Sequence, residues 1–245
     1  MKDAKEILIE ELKSQLEIAE KEKKALLRLA LHDLRSPMNK LFALVGLFKM
    51  SDAPVSAEQA DYLDKMELVI RDGLSRMRNL MDLKAIEDET IETMYESIRV
   101  SKLVQKVIRE QTPDADRKNI KIYFIEKTVT LTTDTISCLR ILDQLFSNAV
   151  KFSPKGSSIT VKLEEQEESV FIHIADTGPG ISAKDQTELY KKFTPLSTRA
   201  TGGESCTGIG LYIASWMAKN IGGSIEYTND NKSEFTLCLP KVSLA

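Results

Sequence analysis

Between residues 3 and 30 the chain carries no Gly and no Pro, and its apolar residues recur at alternating spacings of three and four. Ile9, Leu12, Leu16, Ala19, Leu26 and Ala30 form the seam, interrupted at Lys23. That is an a/d heptad pattern, and such a helix buries its stripe against another helix. Nothing nearby in sequence would cover it, so a parallel coiled-coil dimer is expected. The helix should run on through Leu41, Leu44, Val45 and Phe48 to a break at residues 51–55, whose Ser-Asp-Ala-Pro-Val is turn chemistry. Ser56 with Gln59 is a capping box that starts a second helix. Leu63, Met66, Ile70, Met77 and Leu80 carry its stripe to about Ile86, with Gly73 in the same row, where close packing is expected. A helical hairpin still left with an apolar face is completed by a second copy, as a dimeric four-helix bundle.

In the middle of the first helix lies Leu31-His-Asp-Leu-Arg-Ser-Pro-Met-Asn39, with one of the chain's two histidines. His32 and Ser36 are four apart and share a helix face, while Asp33 lies about 100° further round. A ring nitrogen that gives its proton to a carboxylate leaves the other unprotonated and nucleophilic. Pro37 lacks an N–H and is expected to kink or loosen the helix just past the histidine. Taken alone, the stretch also reads as a polar histidine on a solvated helix face.

A chain of 245 residues, 42% apolar and 29% charged, is expected to be a soluble globular protein of one or two domains. The net charge of −3 gives no support to a nucleic-acid or anionic-membrane partner. No apolar run approaches the roughly 20 residues of a membrane span, and the N-terminus does not read as a signal peptide. Cys138, Cys206 and Cys238 are odd in number and in no metal-ligand spacing, which reads as reduced thiols and a cytoplasmic setting.

After a polar linker at residues 87–90 the composition turns to mixed α/β. Ser101 opens a short helix with Leu103, Val104, Val107 and Ile108 on one face. Strands are expected at 120–125, 158–163, 170–175, 224–227 and 234–239, the second and third joined as a hairpin across 164–169. Helices are expected at about 135–151, after Ser182, and at 208–220. The fold expected is an α/β sandwich, one mixed sheet with helices on one face, behind the N-terminal coiled coil and hairpin.

Three stretches in this half carry chemistry. Asp176-Thr-Gly-Pro-Gly-Ile181 follows a strand; Gly178 and Gly180 let the backbone approach a ligand, and Asp176 can accept a hydrogen bond from an exocyclic amine such as adenine's. Thr207-Gly-Ile-Gly-Leu211 opens a helix, where Gly208, Gly210 and the helix N-terminus offer N–H groups to phosphate. Between them, residues 193–206 are rich in Ser, Thr and Gly and read as a mobile loop over the ligand. Asn148, Lys151 and Phe152 close the middle helix: an amide oxygen for Mg²⁺, an ammonium for phosphate, an aromatic to cover a base.

Together these stretches resemble the cytoplasmic core of the two-component sensor histidine kinases over nearly the whole chain. His32-Asp-Leu-Arg-Ser-Pro resembles the H box, 144–152 the N box, 176–180 the G1 box, 208–210 the G2 box and 189–193 the F box, while Leu239-Pro240 matches the usual end of the ATP-binding domain. The resemblance implies a coiled-coil signalling helix at 1–30, a dimerisation and histidine phosphotransfer hairpin at 31–88, and a catalytic ATP-binding domain at 93–245. It implies His32 as phosphoacceptor, Asp33 as the acid that polarises it, and Ser36 as the residue that positions water when the regulator is dephosphorylated. Asn148 would hold Mg²⁺, Lys151 would bind phosphate and Asp176 would read adenine, with Phe152, Gly178, Gly180, Thr207, Gly208, Gly210 and Leu211 around the nucleotide.

Two positions depart from the family pattern. Gln144 stands where the N box usually has a first asparagine; its amide is displaced by one methylene, and it cannot serve as the water-activating base of hydrolytic relatives. A glycine often found before the last strand is replaced around Lys232-Ser233, a change expected to be structural only. The mechanism implied is in-line attack of His32 on the γ-phosphate of Mg·ATP held under residues 193–206. The ATP-binding domain would swing about residues 87–92, in a homodimer, and the phosphoryl group would pass to an aspartate of a separate response regulator. These residues contain no sensor, so a truncated chain or control by a partner is expected. The alternative is a pseudokinase-type dimeric scaffold that binds a regulator without ATP turnover, for which Gln144 is the sequence support; a net phosphatase acting through Ser36 lies between the two.

Overall fold

The computed structural model describes residues 4–51, 54–194, 196–201, 207–230 and 232–241. Residues 1–3 of the expected coil, Asp52 and Ala53 of the expected break, and Cys206 with the rest of 202–206 lie outside the described residues. The chain divides into two compact units, Met1–Lys84 and Ala85–Ala245.

The first unit is helical. Helix α1 spans Ala4–Met50 and α2 spans Ala57–Glu87. The Ser56 N–H donates to Gln59 Oε1 at 2.8 Å and the Gln59 N–H to Ser56 Oγ at 3.1 Å, so the reciprocal cap read in the sequence starts α2. Side chains tie the two helices together. Lys49 donates to Asp64 and Glu67 at 2.6 and 2.7 Å, and the Arg71 guanidinium lies 5.1 Å from the Phe42 ring centre. Gly73 does allow a close approach, since a Cβ there would come within 2.9 Å of Met38 Cε. Pro37 does not interrupt α1, which stays continuous through it. The cost is local: Pro37 has no N–H for the carbonyl of Asp33, four residues back. Leu31, Val45, Ile70 and Leu83 are buried, but the seam toward the N-terminus is open, with Leu16 60% and Leu26 67% exposed.

The second unit is a sheet backed by three helices. It contains β1 Tyr95–Arg99, α3 Val100–Arg117, β2 Lys121–Ile125, β3 Thr130–Asp134, α4 Thr135–Phe152, β4 Ser158–Glu165 and β5 Ser169–Asp176. Helix α5 Ala183–Gln186, α6 Gly210–Asn220, β6 Ser224–Thr228 and β7 Ser233–Pro240 complete it. Five strands form one mixed sheet in the order β2-β4-β5-β7-β6, with β2 parallel to β4 and the other pairs antiparallel. Its buried side chains alternate in register: Val161 opposite Ile174, Ile174 opposite Phe235, Ile172 opposite Leu237, and Leu237 opposite Ile225. Only one face of such a sheet needs a cover, and α3, α4 and α6 supply it through Val104, Val107, Ile141, Leu142, Leu145, Phe146, Ile213 and Met217.

The structure corrects the sequence reading in three places. A second, two-stranded antiparallel sheet of β1 and β3 was not expected. Helix α3 is no short helix but 18 residues, with Pro113 inside it. The helix after Ser182 is a single turn, although its cap is the expected one, the Asp185 N–H donating to Ser182 Oγ at 3.1 Å.

Leu237 is fully buried between Ile172 and Ile225 on the neighbouring strands. Leu237→Ala is expected to destabilise the α/β unit by about 3 kcal/mol. Urea denaturation followed by fluorescence of the chain's one tryptophan, Trp216 in α6, measures it as a lowered midpoint.

Candidate functional site: a cavity over a buried carboxylate

The even positions of β5 face the helices, and the last of them is Asp176, which is 3% exposed. Its Oδ1 accepts from the Gly178 N–H at 2.7 Å and its Oδ2 from Ser233 Oγ at 2.9 Å. Asp176 forms part of a cavity lined also by Asn148, Phe152, Gly180, Ile181, Leu196, Thr198, Leu211, Ser233 and Phe235. Of the residues singled out in the sequence, Asn148, Phe152, Asp176, Gly180 and Leu211 line this cavity together. Ser233 takes part in it as a partner of Asp176, a contact not read from the sequence around Lys232-Ser233.

Helix α4 supplies the polar row. Gln144, Asn148 and Phe152 stand four apart on one face, half-buried, while Leu145, Phe146 and Ala149 pack into the core. Gln144 Nε2 donates to Asn148 Oδ1 at 3.0 Å. An amide oxygen has two lone pairs, so Asn148 Oδ1 keeps one for a ligand. A carbonyl-type oxygen of this kind, completed by phosphate oxygens and water, suits Mg²⁺. The side chain of Gln144 also fills the space where any Cβ at Gly210 would sit, which explains the glycine there.

Gly208 has φ +67, and a Cβ would come within 2.7 Å of the Thr194 carbonyl oxygen, so both conformation and space exclude a side chain. Thr207, Gly208 and Gly210 lead into α6 without lining the cavity, and Lys151 is half-buried beside it, its carbonyl engaged by the Thr201 N–H. Gly178 is present through its N–H on Asp176. Within the loop expected to be mobile, the described residues are held: Ser197 bonds Asp185, Thr198 Oγ1 donates to the Gly180 carbonyl at 3.1 Å, and Thr201 Oγ1 to the Ser153 carbonyl at 2.6 Å. Sequence reasoning held Ile181 in the 176–181 turn and Leu196 and Thr198 in the 193–206 loop over the ligand without giving them roles, and it did not find Phe235, an ordinary strand residue until the fold brings it to the cavity.

In the helical unit, His32 Nδ1 lies 3.3 Å from Asp33 Oδ1, both side chains largely exposed, at 76% and 67%. With Nδ1 donating to the carboxylate, Nε2 carries the free lone pair. His32, Arg35, Ser36, Asn39, Lys40 and Ala43 line a shallow groove, so the two residues read as sharing a face do share it.

Burial pushes the Asp176 carboxyl above its ordinary value of 3.8, against the lowering effect of the Gly178 N–H and the Ser233 hydroxyl. The folded state then holds its proton more tightly than the unfolded chain, so this group's contribution is full below about pH 4 and is lost as pH rises through the raised value. Asp176→Asn keeps an acceptor for the Gly178 N–H, turns the Ser233 hydroxyl into the acceptor of the new amide N–H, and removes the titration. The variant is expected to gain stability relative to the parent as pH rises from 4 to 7, read from Trp216 fluorescence melts across that range.

Residues 133–243 match the family described as histidine kinase-, DNA gyrase B-, and HSP90-like ATPase. The chain is 25% identical over 239 residues to the swarming motility regulation sensor protein RssA of Serratia marcescens, covering 95% of this chain and 50% of that one. It is 28% identical over 221 residues to the sensor histidine kinase GacS of Pseudomonas protegens, covering 86% and 24%. The chain thus spans half or less of the length of these relatives. In fold it is similar to full-length ShkA in complex with AMPPNP, with a TM-score of 0.65 at 23% identity over 89% of this chain and 46% of that one. Among the described residues, no helix is long and apolar enough to cross a membrane. Residues 133–243 thus match the histidine kinase-, DNA gyrase B- and HSP90-like ATPase family model, and the chain as a whole is similar to sensor proteins that include a sensor histidine kinase.

Proposed function

We propose that this chain is a dimeric histidine kinase core that phosphorylates itself on His32 and passes the phosphoryl group to a response-regulator aspartate. The reading divides the chain into a signalling coil at 1–30, a phosphotransfer hairpin at 31–88 and an ATP-binding domain at 93–245. The observation that carries it is a carboxylate-paired, solvent-exposed histidine in the same chain as an ATPase-family cavity floored by Asp176. ATP fits that cavity by chemistry: Asp176 accepts from the adenine amine, Phe152, Ile181, Leu196, Leu211 and Phe235 enclose the base, and the N–H groups entering α6 at Thr207, Gly208 and Gly210 meet the phosphates. Asn148 would hold Mg²⁺, which when bound neutralises charge on the phosphates, and Lys151 adds a cation.

His32 Nε2 attacks the γ-phosphorus in line. The N–P bond forms as the bond from γ-phosphorus to the bridging oxygen breaks, and ADP leaves with that electron pair. Asp33 holds Nδ1 and stabilises the cationic ring that results. Return of the phosphoryl group to water on the regulator, with Ser36 positioning that water, belongs to the same proposal. So does the homodimer, supported by the open apolar seam of α1, where Leu12, Leu16 and Leu26 stay exposed in the single chain.

Incubation with γ-labelled ATP and Mg²⁺ tests the kinase. Acid-labile, base-stable label is expected on the parent chain and none on His32→Ala. The second reading, a regulator-binding scaffold without turnover, draws on the Gln144 amide seated on Asn148 Oδ1. ATP binding without any label would favour it. Gln144→Asn shortens the side chain and frees that oxygen, and is expected to raise the labelling rate by about tenfold, the worth of one hydrogen bond near the transition state; a rate unchanged or lowered would remove Gln144 as the limiting residue.

A further inference from the structure

We infer that Lys118 is a positioning residue for the nucleotide cavity, clamping the wall formed by residues 196–201 to the last turn of α4; the inference rests on the cavity being a nucleotide site. Lys118 is a lysine only 7% exposed, at the C-terminal cap of α3. Asn119 follows it at φ 53, a left-handed position that Asn tolerates, and the chain turns there into β2. An ammonium taken out of water must be matched by acceptors. Lys118 Nζ donates to the carbonyls of Val150 and Lys151 at 3.0 and 2.9 Å and to Thr201 Oγ1 at 3.0 Å.

Each acceptor has a physical reason to attract a cation. The last carbonyls of a helix have no N–H partner within it, and the helix dipole makes that end partially negative. Thr201 lies 83 residues from Lys118 and reaches the same turn independently: its N–H donates to the Lys151 carbonyl at 3.0 Å and its hydroxyl to the Ser153 carbonyl at 2.6 Å. The wall is thus tied at three points, to Asp185 through Ser197, to Gly180 through Thr198 and to α4 through Thr201 and Lys118. Leu196 and Thr198 line the cavity on this tied segment, and the clamped turn is the one that presents Asn148 and Phe152 to the same cavity. One ammonium therefore joins two segments that line the cavity without lining it itself.

Lys118→Met keeps an unbranched apolar stem of similar reach and removes the charge. Thr201→Val removes the hydroxyl from the wall while leaving Lys118 on the helix carbonyls. Both are compared with the parent by calorimetric titration of ATP at fixed Mg²⁺ and by amide hydrogen exchange. Lys118→Met is expected to bind ATP about tenfold more weakly, the consequence of losing charge-assisted hydrogen bonds that preorganise the site. Its exchange should accelerate at 196–201 while β4 and β5 keep their protection. Thr201→Val should show the same local loosening with a loss of about threefold. ATP affinity within twofold of the parent, or acceleration spread evenly over the sheet, overturns the inference and leaves Lys118 a support of the fold. If Lys118→Met does not fold, Thr201→Val decides: unchanged affinity and exchange overturn the clamp. A parent chain that binds no ATP overturns the nucleotide reading instead, and faster exchange confined to 196–201 in the variants still supports the clamp.

Discussion

A carboxylate placed under three helices loses its hydration, and the free-energy cost persists unless hydrogen bonds replace the lost water. Asp176 meets that condition with donors from two directions, a backbone N–H two residues on and a hydroxyl from the neighbouring strand. The second depends on register. β5 and β7 pair so that Asp176 stands opposite Ser233, and β4 pairs so that Ile159 flanks it on the other side. A slip by one residue would turn the carboxylate to the open face and bring Ala175 and its neighbours under the helices. The alternating apolar residues of three strands therefore fix where one acid points. A carboxylate offers about four acceptor positions, so the two donors leave capacity for a ligand donor, in a place where water is displaced by Phe235, Ile181 and Leu211.

Opposite that acid, α4 works as a rail fixed at both ends. At its start, Asp134 Oδ1 accepts from the Ser137 N–H and Oδ2 from the Met94 N–H, so one side chain caps the helix and pins the strand before α3. At its end, Lys118 and Thr201 occupy the carbonyls of the final turn. Between the anchors, the apolar face packs on α3 and α6, which leaves the row of Gln144, Asn148 and Phe152 little freedom to rotate. Gln144 adds a lateral tie by filling the place of a side chain at Gly210, so the polar row and the entry of α6 are spaced by van der Waals contact. A site made this way depends on packing more than on any single polar bond.

Legibility followed the length and periodicity of each element. The heptad seam, the Ser56–Gln59 cap, α4 and the alternating strands could be read because each repeats a local rule several times. β1 and β3 could not. Thr-Leu-Thr-Thr-Asp has one large apolar residue, and β1 is mostly exposed on both faces, so neither shows an alternation. Their pairing closes across α3 and β2, a contact no short window contains. The cavity divides the same way. Asn148, Phe152, Asp176, Gly180 and Leu211 stand in motifs whose spacing is visible along the chain. Ser233 and Phe235 enter through the β5–β7 register and Thr198 through its hydrogen bond to the Gly180 carbonyl, with Leu196 on the same segment, while Lys118 stays off the lining and reaches Thr201 across 83 residues.

The helical unit treats its reactive group in the opposite manner. Where Asp176 is buried and held by donors from two strands, His32 is held by its neighbour alone and stands in water. On the proposed reading, exposure leaves Nε2 open to a phosphoryl donor and then to a phosphoryl acceptor, two partners that a closed pocket could not admit in turn. Pro37 contributes to the same end. It leaves the helix unbroken but withholds an N–H from the carbonyl of Asp33, the residue whose side chain orients the ring. The turn that carries the His32–Asp33 pair is thereby less constrained than the turns on either side of it, in a helix otherwise free of Pro. On the proposed reading, a cavity held by packing and an exposed turn for the nucleophile are complementary solutions: the first limits the geometry of the donor, and the second allows one side chain to serve two successive partners.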